Sequence, residues 1–464
     1  MRFLQHWWHR PYGSREVLRV SLPLILSMMS ASIMSFTDRL FLGWYSIESL
    51  SASMPAFITI FTFIAFFMGV AEYVSVFVAQ YMGSGNARMA GASVWQGLYF
   101  CVGAAVVLAL LAIPGRLIFE AAGHPPDIIA LEIVYYRILA VNAGLLIASV
   151  VMSGLYSGRG LTRVVMIVNM IGAGINIPLD YILINGLKVG DVAVVPELGI
   201  AGAGLATATG WLVMVCLYLW LLFRNNNERE FGMRSQWKFQ PDLFLRFLRF
   251  GFPSGMQFFL DVMAITCFTL LVGRLGEVEL AATNIVFSLH SLIFLPLVGM
   301  HIAVCVLTGQ AVGKKEAVYA KVTANSAIAL NLIYISIIGT IFLVFPYTLL
   351  NLFRTTGMTP ETFAPIANMG VILLRFLVFF TLFDGLTMVY LGVLKGAGDV
   401  SFVMKAIGIC ASLGLAIPSY VGIVVFHITI YSAWIILTFF VMLLATVFFL
   451  RYKNGAWIKK SVIA

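Results

Sequence analysis

Long apolar runs separated by short polar loops dominate the chain. Twelve of these runs come near the ~20 residues that a helix needs to cross the hydrocarbon core of a bilayer. Strands of a membrane barrel would be about half as long and would alternate between apolar and polar residues. The pattern therefore predicts an all-α integral membrane protein with twelve transmembrane helices, at residues 17–45, 53–81, 91–118, 129–156, 163–186, 199–223, 246–275, 280–312, 322–353, 365–394, 401–425 and 428–451.

The chain also repeats itself at an offset of 230 residues. LRVSLP returns as LRFGFP, so Pro23 corresponds to Pro253, and Gly69 then corresponds to Gly299 without a gap. A second match, at an offset of 238, pairs the glycines of GLYSGRGLT with those of GVLKGAGDV. Six spans in each half leave both halves in the same orientation. The repeat therefore predicts two six-helix lobes related by a pseudo-two-fold axis along the membrane normal.

A polar segment, RNNNEREFGMRSQWKFQPD, separates the two halves. It predicts three parts: an N-lobe at 1–223, a cytoplasmic linker at 224–242 and a C-lobe at 243–464.

Composition agrees with a membrane protein. The chain is 61% hydrophobic and 11% charged, with a mean hydropathy of +0.98, which is more apolar surface than a soluble protein of 464 residues can bury. The net charge of +9 is spread over short loops, so we expect topology signalling and no nucleic acid partner.

The distribution of Lys and Arg among the loops predicts the orientation of the protein in the membrane. With the N-terminus inside, 22 of the 29 Lys and Arg residues fall at inner ends and five at outer ends. This bias places both termini in the cytoplasm of a multi-pass inner (plasma) membrane protein. The polar, basic start of the chain lacks the features of a cleavable signal peptide, so we expect the first span to be retained.

One acid stands out in the first span. Asp38 lies in its second half, and its counterpart in the repeat is Phe268. A carboxylate at membrane depth costs several kcal/mol unless it is neutralised or paired, so it is a functional-site candidate. Pro23, near the start of the same span, frees a backbone carbonyl and permits a bend.

Three further aspartates lie within spans. Asp180 follows Asn176 by four residues, so both side chains lie on one helix face. An amide oxygen beside a carboxylate suits a hard monovalent cation, and a hydrogen bond that packs two helices together is the alternative. Asp261 and Asp384 lie far from any loop and need a partner, a cavity or a proton.

The sequence lacks the motifs of an enzyme site, such as HExxH or GxSxG. His290 and His301 lie about three turns apart in the eighth span, where lining of a core or cavity is the simpler interpretation than metal ligation. All five cysteines lie in apolar spans without metal-ligand spacing. The sequence thus predicts a protein that is not an enzyme and has no cofactor.

The order and spacing of these motifs resemble one transporter family. The doubled six-span plan, the first helix from Pro23 to Asp38, GLYSGRGLT, NIPLDYIL before PELGIAGAGLAT, and LFDG before GVLKGAGD are similar to multidrug and toxic compound extrusion (MATE) transporters, of the bacterial NorM or DinF type. The resemblance covers nearly the whole chain. It implies two six-helix lobes that enclose a V-shaped cavity, and export of organic cations in exchange for inward H⁺ or Na⁺.

The resemblance also assigns residues. It implies an N-lobe site for H⁺ or Na⁺ at four positions that match the family pattern: Asp38, Asn176, Asp180 and Thr207. Pro23 matches the proline at which bending of the first helix has been proposed.

In the C-lobe, Asp261 and Asp384 match acids of the sodium-linked branch. That branch often has a tyrosine four residues before the acid of the tenth helix, where this chain has Phe380. The missing hydroxyl weakens the expectation of sodium binding in the C-lobe.

These observations predict a cation-coupled antiporter that exports cationic amphiphilic compounds by alternating access, as a monomer in the lipid bilayer. The coupling ion, H⁺ or Na⁺, neutralises carboxylates that would otherwise attract a cationic drug, so ion and drug exclude each other. Two alternatives remain at this point. A flippase for lipid-linked saccharides would need a cavity rich in Arg and Lys, and a facilitator of another fold would lack the repeat.

Overall fold

The computed structural model of the protein describes residue 8 and residues 10–189, 192–354 and 359–463. These residues contain twelve helices that are long and apolar enough to cross a membrane. The predicted all-α architecture with twelve spans is confirmed. The spans run Ser14–Tyr45, Ile47–Gly83, Ala87–Leu110, Pro126–Gly158, Thr162–Asn185, Ile200–Leu222, Pro241–Val272, Glu277–Gly313, Ala317–Val344, Glu361–Ala397, Val400–Val425 and Ile430–Lys453.

Two predicted span ends are wrong, and proline explains both. The third span stops at Leu110, and a separate short helix, Gly115–Ala121, follows Pro114. The ninth span stops at Val344, and the short helix Pro346–Asn351 begins at a proline. Because the residue before proline avoids helical geometry while proline itself suits a first helical turn, the chain ends one helix and starts another.

Other elements were not predicted. A β-hairpin of β1 (Leu187–Val189) and β2 (Val192–Val195), antiparallel, joins the fifth and sixth spans. Two π-helical segments, Cys410–Ala416 and Val421–Val425, flank a turn of α-helix at Ile417–Tyr420 in the eleventh span. The second span is continuous in direction but is divided at Tyr73 into Ile47–Glu72 and Val74–Gly83.

The chain divides into two compact units. One, here called the N-unit, is Leu26–Gly255, and the other, the C-unit, is Met256–Val462 together with the N-terminal residues up to Ile25. The division falls inside the first and seventh spans, two residues after Pro23 and two after Pro253, and not at the polar segment. Each of these two helices therefore starts in one unit and ends in the other.

Close backbone contacts explain why the start of the first span belongs to the C-unit and the start of the seventh span to the N-unit. In the C-unit, a Cβ built on Gly299 would lie 3.2 Å from the backbone N of Ile25. In the N-unit, a Cβ on Gly255 would lie 2.4 Å from the backbone O of Phe66. Ile25 and Gly255 are repeat partners at the 230 offset, so corresponding positions pack closely on the second span and on its counterpart, the eighth, within one helical turn of matching sites.

The polar segment between the halves is folded into the N-unit. Its short helix, Asn225–Phe231, carries the buried Phe231, and a Cβ on Gly91 of the third span would lie 2.3 Å from the backbone O of Phe231. The indole N–H of Trp95 donates to the backbone O of Met233 at 2.7 Å. This segment is thus a packed part of the unit.

The repeated glycines pack in the same way in both units. A Cβ on Gly158 would lie 2.5 Å from the backbone O of Ser75, and one on Gly396 would lie 2.3 Å from the backbone O of Cys305. Such approaches are open only to glycine and bring helices together at small residues. The doubled sequence therefore encodes a doubled scaffold.

Candidate functional site

Asp38 is buried in the N-unit with one hydrogen-bond partner. Its side chain is 6% exposed, and its Oδ2 accepts a bond from the Tyr135 hydroxyl at 2.8 Å. Its other oxygen, Oδ1, is buried without a partner in the described structure. Since a buried carboxylate normally has its acceptor positions filled, this oxygen marks a place for a proton or a cation.

Asn176 and Asp180 lie next to this acid. Both are fully buried, one turn apart on the fifth span, as their spacing predicted. Asp180 and Asp38 are close enough to interact electrostatically, and Tyr135 interacts with both carboxylates. The Asn176 amide interacts with the Asp180 carboxylate, but within the part of the chain that the structure describes no side-chain oxygen of either residue makes a hydrogen bond of normal geometry.

Two glycines of the sixth span place Thr207 at the same cluster. Thr207 is buried, and it lies three residues after Gly204 and three before Gly210, so all three share a helix face. A Cβ on Gly204 would lie 3.4 Å from the Tyr135 ring, and one on Gly210 would lie 3.3 Å from the Asn176 Cβ. The Thr207 side of this helix therefore runs between Tyr135 and Asn176.

We call Asp38, Tyr135, Asn176, Asp180 and Thr207 the Asp38 cluster. It combines two carboxylates, an amide oxygen and hydroxyls from four spans. A proton shared by the acids would neutralise part of the charge, and Na⁺ would find several oxygen ligands of the kind hard cations prefer. The cluster can thus bind a small cation by either chemistry.

The C-unit acids are arranged differently. The Gln257 amide donates to Oδ2 of Asp261, and the Gln257 Oε1 accepts from the Lys395 ammonium at 3.0 Å. Gln257 is 4% exposed and Lys395 7%. Lys395 also interacts electrostatically with Asp261 and His301. We call Asp261, Gln257 and Lys395 the Lys395 network.

Asp384 has a separate partner. Its Oδ2 lies 3.6 Å from Nε2 of His290, an ion-pair distance if the imidazole is protonated. The His290 ring meets the buried Phe380 ring edge-on, with centroids 5.0 Å apart. His301 accepts or donates at Nδ1 with the backbone O of Met388 at 3.0 Å. No group of three His, Cys, Asp or Glu residues suited to a metal ion occurs among the described residues.

Pro23 lies inside a continuous helix, Ser14–Tyr45, and is buried. Pro23 lies three residues before Leu26, the first residue of the N-unit, and the bend of the first helix stays a prediction.

Sequence reasoning missed three members of these groups. Tyr135 is one of 17 tyrosines, and nothing in its spacing sets it apart. Gln257 could have been found, because it precedes Asp261 by four residues and so shares its helix face. Lys395 was counted among the inner-loop charges that set the topology, and that assignment is wrong: it lies buried within the tenth span.

Fold and site together define a class. A bundle of twelve spans, built as a repeated half of six and carrying a buried group of acids at membrane depth, is the architecture of a secondary membrane transporter.

Comparison with known proteins gives the family. The MatE family model matches residues 23–182 and 253–421, one match in each half of the repeat. This chain belongs to that family, the MATE transporters. The predicted resemblance is confirmed.

Curated relatives of similar length agree. The probable multidrug resistance protein NorM of Thermotoga maritima is 25% identical over 465 residues, which covers 98% of this chain and 95% of that protein. The probable multidrug resistance protein NorM of Haemophilus ducreyi is 24% identical over 416 residues, 89% of this chain and 87% of that one. These relatives place the chain among NorM-like, multi-pass bacterial membrane transporters.

A solved structure shows the same fold. A MOP superfamily transporter from Pyrococcus furiosus, described as having a binding pocket of reverse polarity, aligns with a TM-score of 0.85 at 20% identity and covers 98% of each chain.

Proposed function

We propose that this protein exports cationic, amphiphilic organic compounds by antiport against H⁺ or Na⁺, with the coupling ion bound at the Asp38 cluster. The observation that carries the proposal is the set of buried side-chain oxygens on Asp38, Asn176 and Asp180 that lack a partner in the described structure. Two interacting acids at membrane depth need neutralisation, and a transported cation can supply it.

Antiport follows if the site excludes one cation while it holds the other. A proton or Na⁺ on Asp38 and Asp180 removes the negative charge that would attract a cationic drug. If each cation favours a different conformation of the transporter, the inward gradient of the ion drives the drug outward. The names of the NorM relatives support multidrug compounds as the substrate class.

The charge bias of the loops supports an orientation with both termini in the cytoplasm, so the ion enters from outside. We propose the plasma membrane of a bacterium as the location, in keeping with the bacterial relatives.

Export of a cationic dye from proteoliposomes tests the proposal, with a pH gradient and a sodium gradient imposed separately. Export on the pH gradient alone supports H⁺ as the coupling ion, and export only with sodium supports Na⁺. In either case Asp38→Asn should remove the response. A lack of response to both gradients would overturn antiport and favour the flippase alternative.

A further inference from the structure

Lys395 is the one Lys or Arg side chain that is buried among the residues the structure describes. It lies two residues before the end of the tenth-span helix and is 7% exposed. A buried ammonium is costly unless it is paired and hydrogen-bonded. Its position therefore depends on the partners that surround it.

An amide connects this cation to an acid. The Lys395 Nζ donates to the Gln257 Oε1 at 3.0 Å, and the other end of the same amide donates to the Asp261 carboxylate. Gln257 presents its acceptor to the cation and its donor to the anion, so both charges are hydrogen-bonded through one side chain. The electrostatic interaction of Lys395 with Asp261 completes the pair.

The other ionisable groups near Lys395 and Asp261 do not replace either member of this pair. Asp384 interacts with Asp261 but has His290 at 3.6 Å as its own cationic partner when protonated. His301 faces Lys395 and bonds the backbone O of Met388. Asp261 and Asp384 thus each have a basic side chain nearby, but Asp384 Oδ2 and His290 Nε2 have no hydrogen-bond partner in the described structure.

The repeat shows that this arrangement belongs to one half only. At the 230 offset, Gln257 and Asp261 correspond to Ser27 and Ala31, and at the 238 offset Lys395 corresponds to Ser157. All three members of the network are therefore replaced by small, uncharged residues in the N-unit. The Asp38 cluster differs: the cation that interacts electrostatically with Asp38 is the half-buried Arg39, and no buried Lys or Arg occurs among the described residues of the N-unit.

We propose that Lys395 is a resident counter-cation that excludes Na⁺ from Asp261 in the C-unit. An ammonium held through Gln257 supplies the charge that a metal cation would otherwise supply to Asp261. A second cation brought to the same place meets the repulsion of Lys395 in a low-dielectric interior. Ion coupling is thereby restricted to the Asp38 cluster, a consequence that rests on the proposed function.

Sodium binding to the purified protein tests the proposal without any transport measurement. A background with Asp38→Asn and Asp180→Asn silences the N-unit, and radioactive Na⁺ binding is measured against choline at constant ionic strength. We expect no saturable binding in this background. Adding Lys395→Gln should create saturable Na⁺ binding, and a further Asp261→Asn should abolish it.

A stability cycle covers the case in which Lys395→Gln folds poorly. Breaking the pair leaves an uncompensated buried charge, whereas removing both charges does not. In choline buffer, the melting temperature should therefore fall with Lys395→Gln and return with Lys395→Gln plus Asp261→Asn. Lys405→Gln, at an exposed lysine of the eleventh span, is the matched control and should change neither readout.

Two results would overturn the proposal. One is Asp261-dependent Na⁺ binding by the background protein with Lys395 still in place. The other is a folded Lys395→Gln protein that gains no Na⁺ binding and is not rescued by Asp261→Asn. Because neither result depends on export, the proposal can fail while the antiporter function stands, or survive if that function fails.

Discussion

Both halves of the chain bury carboxylates inside apolar helices, and they balance that charge in different ways. In the N-unit, Asp38 has a tyrosine hydroxyl on one oxygen and a buried, unpartnered second oxygen in the described structure. In the C-unit, Asp261 is joined through Gln257 to the ammonium of Lys395. A repeated scaffold can therefore carry a site for an external cation in one half and a cationic side chain, paired with an acid, in the other half.

The comparison separates what a duplication preserves from what it does not. The glycine contacts at Gly158 and Gly396 match in both units, because they fix the distance between helices. The charged residues do not match, since a helix face tolerates an acid wherever a partner is near. Four predictions test this contrast beyond the lysine itself.

The largest effect is expected at Asp38. Asp38→Asn keeps the volume and removes the ionisable group, so gradient-driven dye export should fall by about a hundredfold, toward the upper end of measured coupling. Initial rates in proteoliposomes measure it. Asp127→Asn, at an exposed acid in the first turn of the fourth span, should export like the wild type. Wild-type export by a folded Asp38→Asn protein would place coupling elsewhere.

Alanine at the matched glycines should destabilise both units alike. A Cβ at Gly158 or Gly396 meets a backbone oxygen at 2.5 or 2.3 Å, and overpacking of this kind costs about 1–3 kcal/mol. Thermal unfolding in detergent measures the loss. Gly103→Ala is the control, because a Cβ there has no neighbour within 4 Å among the described atoms. If only one of the two alanine variants lost thermal stability, the scaffolds of the two units would not be equivalent.

A smaller effect is expected from Tyr135→Phe. The variant removes the hydroxyl that donates to Asp38 at 2.8 Å and so weakens the ionised form of the acid relative to its neutralised form. The coupling-ion concentration for half-maximal export should fall by about tenfold, as hydrogen bonds to charged groups predict. An unchanged half-maximal concentration would show that the hydroxyl does not act on the ion site.

The smallest effect is expected from Phe380→Tyr. It restores a hydroxyl beside His290, yet Lys395 remains in place. The Na⁺ response of export should therefore change by less than about fivefold, the low end of measured coupling. Combined with Lys395→Gln, the same hydroxyl should strengthen Na⁺ binding. A large sodium response from Phe380→Tyr alone would mean that the missing hydroxyl, and not the lysine, controls the C-unit.

The fold was predictable because long apolar runs and the repeated order of motifs can be read directly from the sequence. Asn176 and Asp180 were found for the same reason, since helical spacing puts them on one face. Tyr135 was not, because its meeting with Asp38 depends on how the first and fourth spans pack. The burial of Lys395 was not predicted. A lysine two residues from a helix end has the same sequence context whether its side chain points to water or into the protein interior.

The start of the first helix has a consequence for biosynthesis. The Thr323 hydroxyl donates to the backbone O of Tyr12, and Thr323 is synthesised 311 residues later. At a synthesis rate of ~5–20 residues per second, the N-terminal segment has to wait about 15–60 seconds for this partner. The N-unit, ending at Gly255, is complete long before then. Proteolysis of stalled chains of increasing length would follow protection of the segment around Gly13, expected only once the ninth span has emerged. The earliest residues of the chain would then find their place only after the ninth span has been made, although the N-unit that follows them is complete well before.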